Sequence, residues 1–156
     1  MTVTVLAVGS PGRLLGPAIQ DYEERAARYW KLEARTVDPE KATKNRAVDD
    51  VMAAEADRLT AATPDRSEVV ALTRTGKHWS SRDLARYLNQ LAVRGSEGAT
   101  FVIGGAYGLH PRFVREAQRR LSLSSMTLPH DLARLVLAEQ LYRAGTIVRR
   151  EPYHKG

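Results

Sequence analysis

Hydrophobic and polar positions along the chain follow two patterns that take turns. Short apolar runs such as Thr2 to Val8 alternate with longer stretches in which apolar residues recur every three or four positions, such as Leu15 to Lys31. A short apolar run bounded by turn residues predicts a strand, and the three-to-four spacing predicts a helix that buries one face. The chain is therefore predicted to alternate strands and helices.

The boundaries of these elements follow from caps and turns. The predicted strands are Thr2 to Val8, Leu32 to Val37, Glu68 to Thr73, Thr100 to Ile103 and Leu121 to Ser124. The predicted helices are Leu15 to Lys31, Ala47 to Ala62, Arg82 to Arg94, Pro111 to Arg120 and Pro129 to Ala144. Such alternation is typical of an α/β fold with a mostly parallel sheet flanked by helices, and ligands of such folds bind at the carboxyl ends of the strands.

Length and composition narrow the class of protein. With 156 residues and no repeat or linker, residues 1 to 156 are predicted to form a single domain with its own core. Cysteine is absent, which excludes disulfides and thiolate metal sites. No basic leader and no apolar run near the roughly 20 residues of a membrane span is present. We therefore expect a soluble, cytoplasmic protein without a membrane partner.

The positive charge is unevenly distributed. Residues 112 to 156 contain nine Arg or Lys against four acidic residues, so that segment carries +5 of the net charge of +6. A concentrated basic region can hold a polyanion such as RNA. The same charges would also suit an ordinary solvated surface.

A glycine turn follows the fourth predicted strand. Gly104-Gly105-Ala106-Tyr107-Gly108 does not match a dinucleotide fingerprint, but paired glycines after a strand allow a ligand to approach the backbone closely. A tight turn with no ligand would use the same residues. The turns at 9 to 12 and 75 to 77 are weak as phosphate-binding motifs.

A Ser/Thr loop precedes the last predicted helix. Pro129 suits the first turn of that helix, and Asp131 complements its dipole. The loop from Ser124 to Leu128 can recognise an adenine edge through its backbone. His130 in the first turn is either a capping or packing histidine or a catalytic one.

Other candidate side chains have simpler interpretations. Glu139 and Arg143, four residues apart on the last helix, favour an internal ion pair. The four histidines lack metal-ligand spacing, so no metal site is predicted. No nucleophile elbow supports a hydrolase triad.

Five segments together give the chain a family resemblance: VLAVG, VVALTRTGK, IGGAYGL, LSLSSMTLPHDLARLVLAEQLYRA and PYHK. With them the chain resembles, essentially end to end, the RlmH family of SPOUT methyltransferases. The resemblance implies methylation of N3 of a pseudouridine in the helix 69 region of 23S ribosomal RNA. It also implies a C-terminal deep trefoil knot, a homodimer with an active site shared across its interface, and S-adenosylmethionine as donor with S-adenosylhomocysteine as product.

The resemblance also assigns residues that contact the donor. Matched by position, these are Leu72, Gly104, Leu123, Ser124, Ser125, Met126, Thr127 and Leu128. The family often has an acidic residue where this chain has Thr73, and its residues vary where Ala106 and Tyr107 stand. Contacts made by the backbone are unaffected by these departures.

The chemistry implied by the resemblance needs a group that accepts a proton. The N3 of pseudouridine is a neutral imide N–H, so its proton must leave and the resulting anion benefits from nearby cations. His154, Arg143 and His130 are the candidates, and Tyr153 can stack on a base or orient His154. We expect the tail at Pro152 to Lys155 to act on RNA and chemistry rather than on folding.

Two other functions are compatible with the same residues. One is a ribosome- or RNA-binding protein without enzymatic activity, which would use the basic C-terminal region and bind no donor. The other is a related knotted methyltransferase that acts on transfer RNA. Donor titration separates the first from the enzymes, and the RNA that accepts a labelled methyl group separates the second.

Overall fold

The computed structural model describes residues 1–156 and contains five strands and five helices. The strands are β1 Thr2–Val8, β2 Lys31–Val37, β3 Ser67–His78, β4 Gly98–Ile103 and β5 Arg119–Ser122. The helices are α1 Gly16–Ala26, α2 Val48–Ala62, α3 Ser81–Val93, α4 Pro111–Glu116 and α5 His130–Val148. Strands and helices alternate from end to end, as the sequence predicts.

All five strands belong to one parallel sheet with the order β2-β1-β4-β3-β5. Side chains of β1 alternate between the two faces: Val3 and Val5 join the core under α1, α3 and α5, and Leu6 and Val8 join the core under α2 and α4. Both faces are therefore covered, which explains why the strands are apolar runs rather than alternating ones.

Three helices differ from their predicted bounds by four or more residues at one end. Helix α1 ends at Ala26 because Lys31 is needed beside Thr2 in the sheet. Helix α4 ends at Glu116 because Arg119 and Arg120 pair with β3. Helix α5 begins after Pro129, which caps it instead of forming its first turn, and continues to Val148. Sheet pairing thus takes residues that helix spacing alone assigns to helices.

The third strand is longer than predicted. The chain bulges over residues 73 to 76, so that Leu72 and Lys77 both pair with Leu121 of β5, and the strand then continues to His78. A Cβ atom on Gly76 would lie 2.8 Å from the carbonyl carbons of Arg120 and Leu121. Glycine is therefore required for the bulge to pack against β5, and the predicted turn is part of the sheet.

The carboxyl ends of β3, β4 and β5 lie side by side at one edge of the sheet, because parallel strands end together. Of the predicted donor-contact residues, Gly104 and residues 123 to 128 follow the ends of β4 and β5, and Leu72 lies just before the bulge within β3. The trefoil knot implied by the resemblance stays a prediction.

Candidate functional site

A cavity of about 350 Å³ opens at this edge of the sheet, and we call it the donor pocket. Its wall is built from residues 72 to 74 at the bulge within β3, residues 103 to 109 at and after the end of β4, and residues 123, 124 and 126 to 128 after β5, with His130 and Ala133 of α5 closing one side. Three loops and one helix start therefore converge on a single concave site, which is the usual location of ligands in this fold class.

The wall contains most of the residues that the resemblance assigns to the donor. These are Leu72, Gly104, Leu123, Ser124, Met126, Thr127 and Leu128. Ser125 lies in the same loop but is exposed and does not line the cavity. Donor binding by these residues stays a prediction.

Gly104 is held by the turn that it begins. A Cβ atom at Gly104 would lie 2.6 Å from the carbonyl carbon of Gly108 and 2.7 Å from the nitrogen of Leu109. Gly108 has a φ of +83° and its N–H donates to the carbonyl of Gly105. The glycine is needed because the turn closes on itself, so a side chain here would displace the turn rather than fill space left for a ligand.

A buried carboxylate, that of Glu55, lies next to the same turn at Gly105. Glu55 of α2 is 4% exposed, and its Oε1 lies 2.9 Å from the position that a Cβ on Gly105 would occupy. Its Oε2 accepts a hydrogen bond from the backbone N–H of Glu40 at 3.1 Å. Glu55 therefore lies between the glycine turn and the loop after β2, and an isolated acidic residue within a helix gives no sequence signal for this position.

The Ser/Thr loop is shaped by its own backbone contacts. The Ser124 hydroxyl accepts a hydrogen bond from the N–H of Met126 at 3.0 Å, and the Met126 side chain is 75% exposed at the rim of the pocket. An exposed apolar side chain next to free backbone groups suits a flat heteroaromatic ligand, because it supplies apolar contact beside hydrogen-bonding atoms.

His130 is the one histidine on the wall of the pocket. Its Nδ1 lies 2.9 Å from Oδ1 of Asp131, and the other Asp131 oxygen accepts a hydrogen bond from the N–H of Gly12 at 2.8 Å. A neutral imidazole with its proton on Nδ1 would have a lone pair on Nε2, so the role of His130 as a base depends on this tautomer and stays a prediction.

The other predicted catalytic residues, Arg143, Tyr153 and His154, form a second group together with Glu139, which we call the tail cluster. Oε1 of Glu139 accepts hydrogen bonds from Nη2 of Arg143 at 2.6 Å and from the Tyr153 hydroxyl at 3.0 Å. Nη1 of Arg143 lies 3.2 Å from Nδ1 of His154. The predicted ion pair within α5 is thus confirmed, and the same arginine, rather than Tyr153, contacts His154.

Aromatic contacts fix the tail against the body of the protein. The Tyr153 ring lies 4.6 Å from that of Tyr142, measured between centroids, and the Arg143 guanidinium lies 4.7 Å from the Tyr153 centroid. Burial and the hydrogen bond to Glu139 raise the pKa of Tyr153 to about 12. The hydrogen bonds to Glu139 also raise the pKa of Arg143. The tail therefore contributes to folding, which the sequence does not predict.

The tail cluster and the donor pocket are separate within one chain. Arg143 follows Ala133, on the pocket wall, by ten positions on α5. At 1.5 Å per residue the two positions are about 15 Å apart. Of the four predicted catalytic residues, only His130 lies at the pocket of its own chain.

Arg134, one turn after His130, points away from both groups. It is 7% exposed and forms hydrogen bonds with Glu23 of α1 at 2.8 and 3.2 Å. This pair joins α5 to α1 and has a structural role.

The pocket meets the chemical requirements of S-adenosylmethionine. A Cβ at Gly104 or Gly105 would collide with atoms of the protein, so these two positions present backbone to the cavity, while Ala106, Tyr107 and Leu109 of the same turn also line it. Met126 and Leu128 add apolar surface on the wall. Backbone groups with apolar flanks fit an adenosine, and no acidic side chain faces the cavity.

Two further observations concern other kinds of site. No group of three or more His, Asp or Glu side chains converges as a metal ion would require. No helix is both long enough and apolar enough to span a membrane.

Comparisons with known proteins identify the family of the chain. Residues 1–154 match the family model described as "Predicted SPOUT methyltransferase". A relative from Gemmatimonas aurantiaca named "Ribosomal RNA large subunit methyltransferase H" is 47% identical over 156 residues, which cover 99% of this chain and all of the relative. Relatives of the same name from Limosilactobacillus fermentum and Burkholderia thailandensis are 43% and 41% identical over 99% of this chain.

A solved structure supports the fold. The chain is similar to "a probable methylase family protein from Haemophilus influenzae Rd KW20", with a TM-score of 0.56 and 13% identity, over 99% of this chain and 70% of the other. At that identity the likeness concerns the fold alone. Because the family model spans nearly the whole chain and the relatives match over their full length, the chain belongs to the SPOUT methyltransferase family.

Proposed function

We propose that this protein transfers the methyl group of S-adenosylmethionine to N3 of a pseudouridine in the large-subunit ribosomal RNA. The observation that carries this proposal is the donor pocket, where three strand-end loops converge in a chain that matches large-subunit rRNA methyltransferases over their full length. The activity belongs in the cytoplasm, where ribosomal RNA is available to a protein of this kind.

The pocket residues would hold the donor mainly through the backbone. The turn at Gly104 and the loop from Leu123 to Leu128 present N–H and C=O groups, and Leu72 and Met126 flank them. The bound donor supplies an electrophilic methyl group. Since the transfer is an in-line displacement, the task of the chain is to align the acceptor nitrogen and exclude water.

His130 is the best placed of the candidate bases. With Nδ1 close to Asp131, Nε2 is free to accept the imide proton from N3 of the pseudouridine. Asp131 is a positioning residue in this scheme, because it sets the tautomer of His130 and is itself held by Gly12.

His154 suits a different role. The Arg143 guanidinium is always a donor, so its contact with Nδ1 of His154 leaves the proton of a neutral imidazole on Nε2. His154 then donates, and with Arg143 it can stabilise the negative charge that develops on the imide as the proton leaves. Tyr153, held by Glu139, offers a flat surface for a base.

These roles require two copies of the chain. The tail cluster is about 15 Å from the pocket of its own chain by the rise of α5. In a homodimer, the partner subunit's His154 would complete the site. Apolar side chains that stay partly exposed support such pairing, among them Leu132 on α5 at 36% and Leu14 at 90% exposed.

The function is tested by following a tritiated methyl group. Purified protein and labelled S-adenosylmethionine are incubated with intact ribosomes, free large subunits and transfer RNA, and the labelled nucleoside is identified after digestion. We expect label on N3 of a pseudouridine in large-subunit RNA. Label on transfer RNA would instead indicate a knotted methyltransferase that acts on transfer RNA. A protein that binds RNA but no donor in calorimetry would be an RNA-binding protein without enzymatic activity.

Sharing of the site is tested by mixing two defective subunits. One protein carries Gly104→Ala and is assayed at donor concentrations well below its raised Kd, so that its own pocket stays mostly empty. The other lacks residues 153 to 156, and each is assayed alone and after co-expression. In a mixed dimer with shared sites, one site receives both defects and the other receives none, so activity reappears. Two inactive proteins that stay inactive together would place the tail at the pocket of its own chain or outside the chemistry.

A further inference from the structure

The bulge of β3 carries one arginine to the mouth of the donor pocket. Arg74 lies in the middle of residues 73 to 76, is exposed, and lines the cavity together with Thr73. Bulges commonly redirect a side chain out of the sheet beside a functional site. The bulge hence places a permanent positive charge where the pocket opens to solvent.

The backbone beneath Arg74 is firmly held. Its carbonyl accepts a hydrogen bond from the Ser122 hydroxyl of β5 at 3.1 Å, and Gly76 packs directly on the β5 backbone. The position of the Cα atom is therefore set by the sheet, and the side chain alone is free to reach a ligand.

The Arg74 guanidinium has no partner within the chain. None of the ion pairs includes it, whereas Arg112 and Arg119 in the basic region are paired with Asp57 and Glu68. A charged side chain that lines a binding pocket without a partner is available to an anionic ligand.

The identity of that anion follows from the charges of the two substrates. S-adenosylmethionine has two positive groups and one carboxylate, so its net charge is repelled by a guanidinium. RNA has a phosphate at every nucleotide. This inference rests on the proposed function. We propose that Arg74 binds a phosphate of the RNA substrate next to the target nucleotide.

Neighbouring cations extend this contact. Lys77, Arg115 and Arg120 are exposed and form no ion pairs, and Arg120 is joined to the helix before it through the carbonyl of Arg115. Lys77 is paired with Leu121, the residue after Arg120. Successive side chains of a strand point to opposite faces, so Lys77 and Arg120 add positive charge on the two faces of the sheet rather than as one strip.

The test compares Arg74→Gln with Arg74→Lys and a matched control. Arg94→Gln removes an equally exposed arginine without an ion pair at the end of α3, which runs antiparallel to the strands and ends at the opposite edge of the sheet. Two quantities are measured for each protein: the donor Kd by calorimetry, and the Kd for large ribosomal subunits as a function of salt concentration.

For Arg74→Gln we expect an unchanged donor Kd, weaker subunit binding at low salt, and a log–log salt slope reduced by about 1. Arg74→Lys restores the slope, and Arg94→Gln leaves both quantities as in the wild type. The KM for subunits rises with little change in kcat, because the contact is made equally before and during transfer.

Two outcomes would overturn the proposal. A donor Kd that rises while the salt slope stays constant would assign Arg74 to the donor carboxylate, and an unchanged Kd for both ligands would leave it without a role. The salt slope is a binding measurement, so it decides the role of Arg74 even if the wild-type protein transfers no methyl group to ribosomal RNA, which is the result that would refute the proposed function.

Discussion

The substitution Gly104→Ala probes whether the shape of the glycine turn controls donor binding. The added Cβ would lie 2.6 to 2.9 Å from three backbone atoms of Gly108 and Leu109. Carbon atoms prefer separations of about 3.5–4.0 Å, so the turn must move by about 1 Å. Overpacking of this kind costs about 1–3 kcal/mol, and tenfold in affinity corresponds to about 1.4 kcal/mol. We expect the donor Kd to rise by about tenfold.

The assay pairs calorimetry with thermal unfolding of the free protein. Because the turn strains its own backbone, Gly104→Ala should also lower Tm, by about 2–4 °C for each kcal/mol in a chain of this size. The control is Gly16→Ala at the start of α1, where the nearest atom, Cβ of Pro11, is at an ordinary 3.8 Å. That variant should keep both the wild-type Tm and the wild-type Kd.

Either of two results would contradict this expectation. A weaker donor Kd with an unchanged Tm would mean that the side chain fills ligand space, so the turn itself accepts it. A lower Tm with an unchanged Kd would mean that the turn lies outside the donor site.

Three further predictions concern the helix and the tail. His154→Ala should lower the single-turnover methylation rate by about 10²-fold, as loss of an anion-stabilising donor does, while RNA affinity in a filter assay stays nearly constant; an equal loss of both would make His154 a binding residue. Arg134→Ala leaves the buried Glu23 carboxylate unpaired and should lower the free energy of unfolding by about 3–5 kcal/mol in urea titration, and a loss below about 1 kcal/mol would contradict burial of the pair. Tyr153, with its pKa raised to about 12, keeps its proton in the folded state after unfolded tyrosine, near 10, has lost it, so stability should fall between pH 10 and 12. Tyr153→Phe should make that fall less steep, and an identical pH profile would refute the buried hydrogen bond to Glu139.

Much of the fold could be predicted because its central strands, β1 and β4, are buried on both faces. The apolar run at Thr2 to Val8 is a strand with the predicted bounds, because a short continuous apolar run is typical of a parallel strand that is covered on both faces. The extension of β3 was missed because residues 73 to 77 are polar and contain glycine, which locally predicts a turn. Only the pairing of Lys77 with Leu121 makes them part of the sheet.

The parts of the site that short sequence motifs form could be predicted, whereas the parts that depend on how distant segments lie in space could not. The loops after β4 and β5 carry short, specific motifs, and both line the pocket. Arg74 was missed because its importance comes from a bulge. The separation between Ala133 and the tail cluster depends on the length of α5, and no local pattern shows which end of a helix faces a pocket.

The packing of α1 against α5 has a consequence for the folding of the nascent chain on the ribosome. Trp30, just after α1, donates a hydrogen bond to the carbonyl of Leu141, and Gly145 of α5 lets the Tyr29 ring approach closely. Until α5 has been translated and has left the exit tunnel, the apolar face of α1 has no cover. Native packing of α1 therefore has to wait for α5, and a nascent chain stalled before His130 would expose that face to chaperones and proteases.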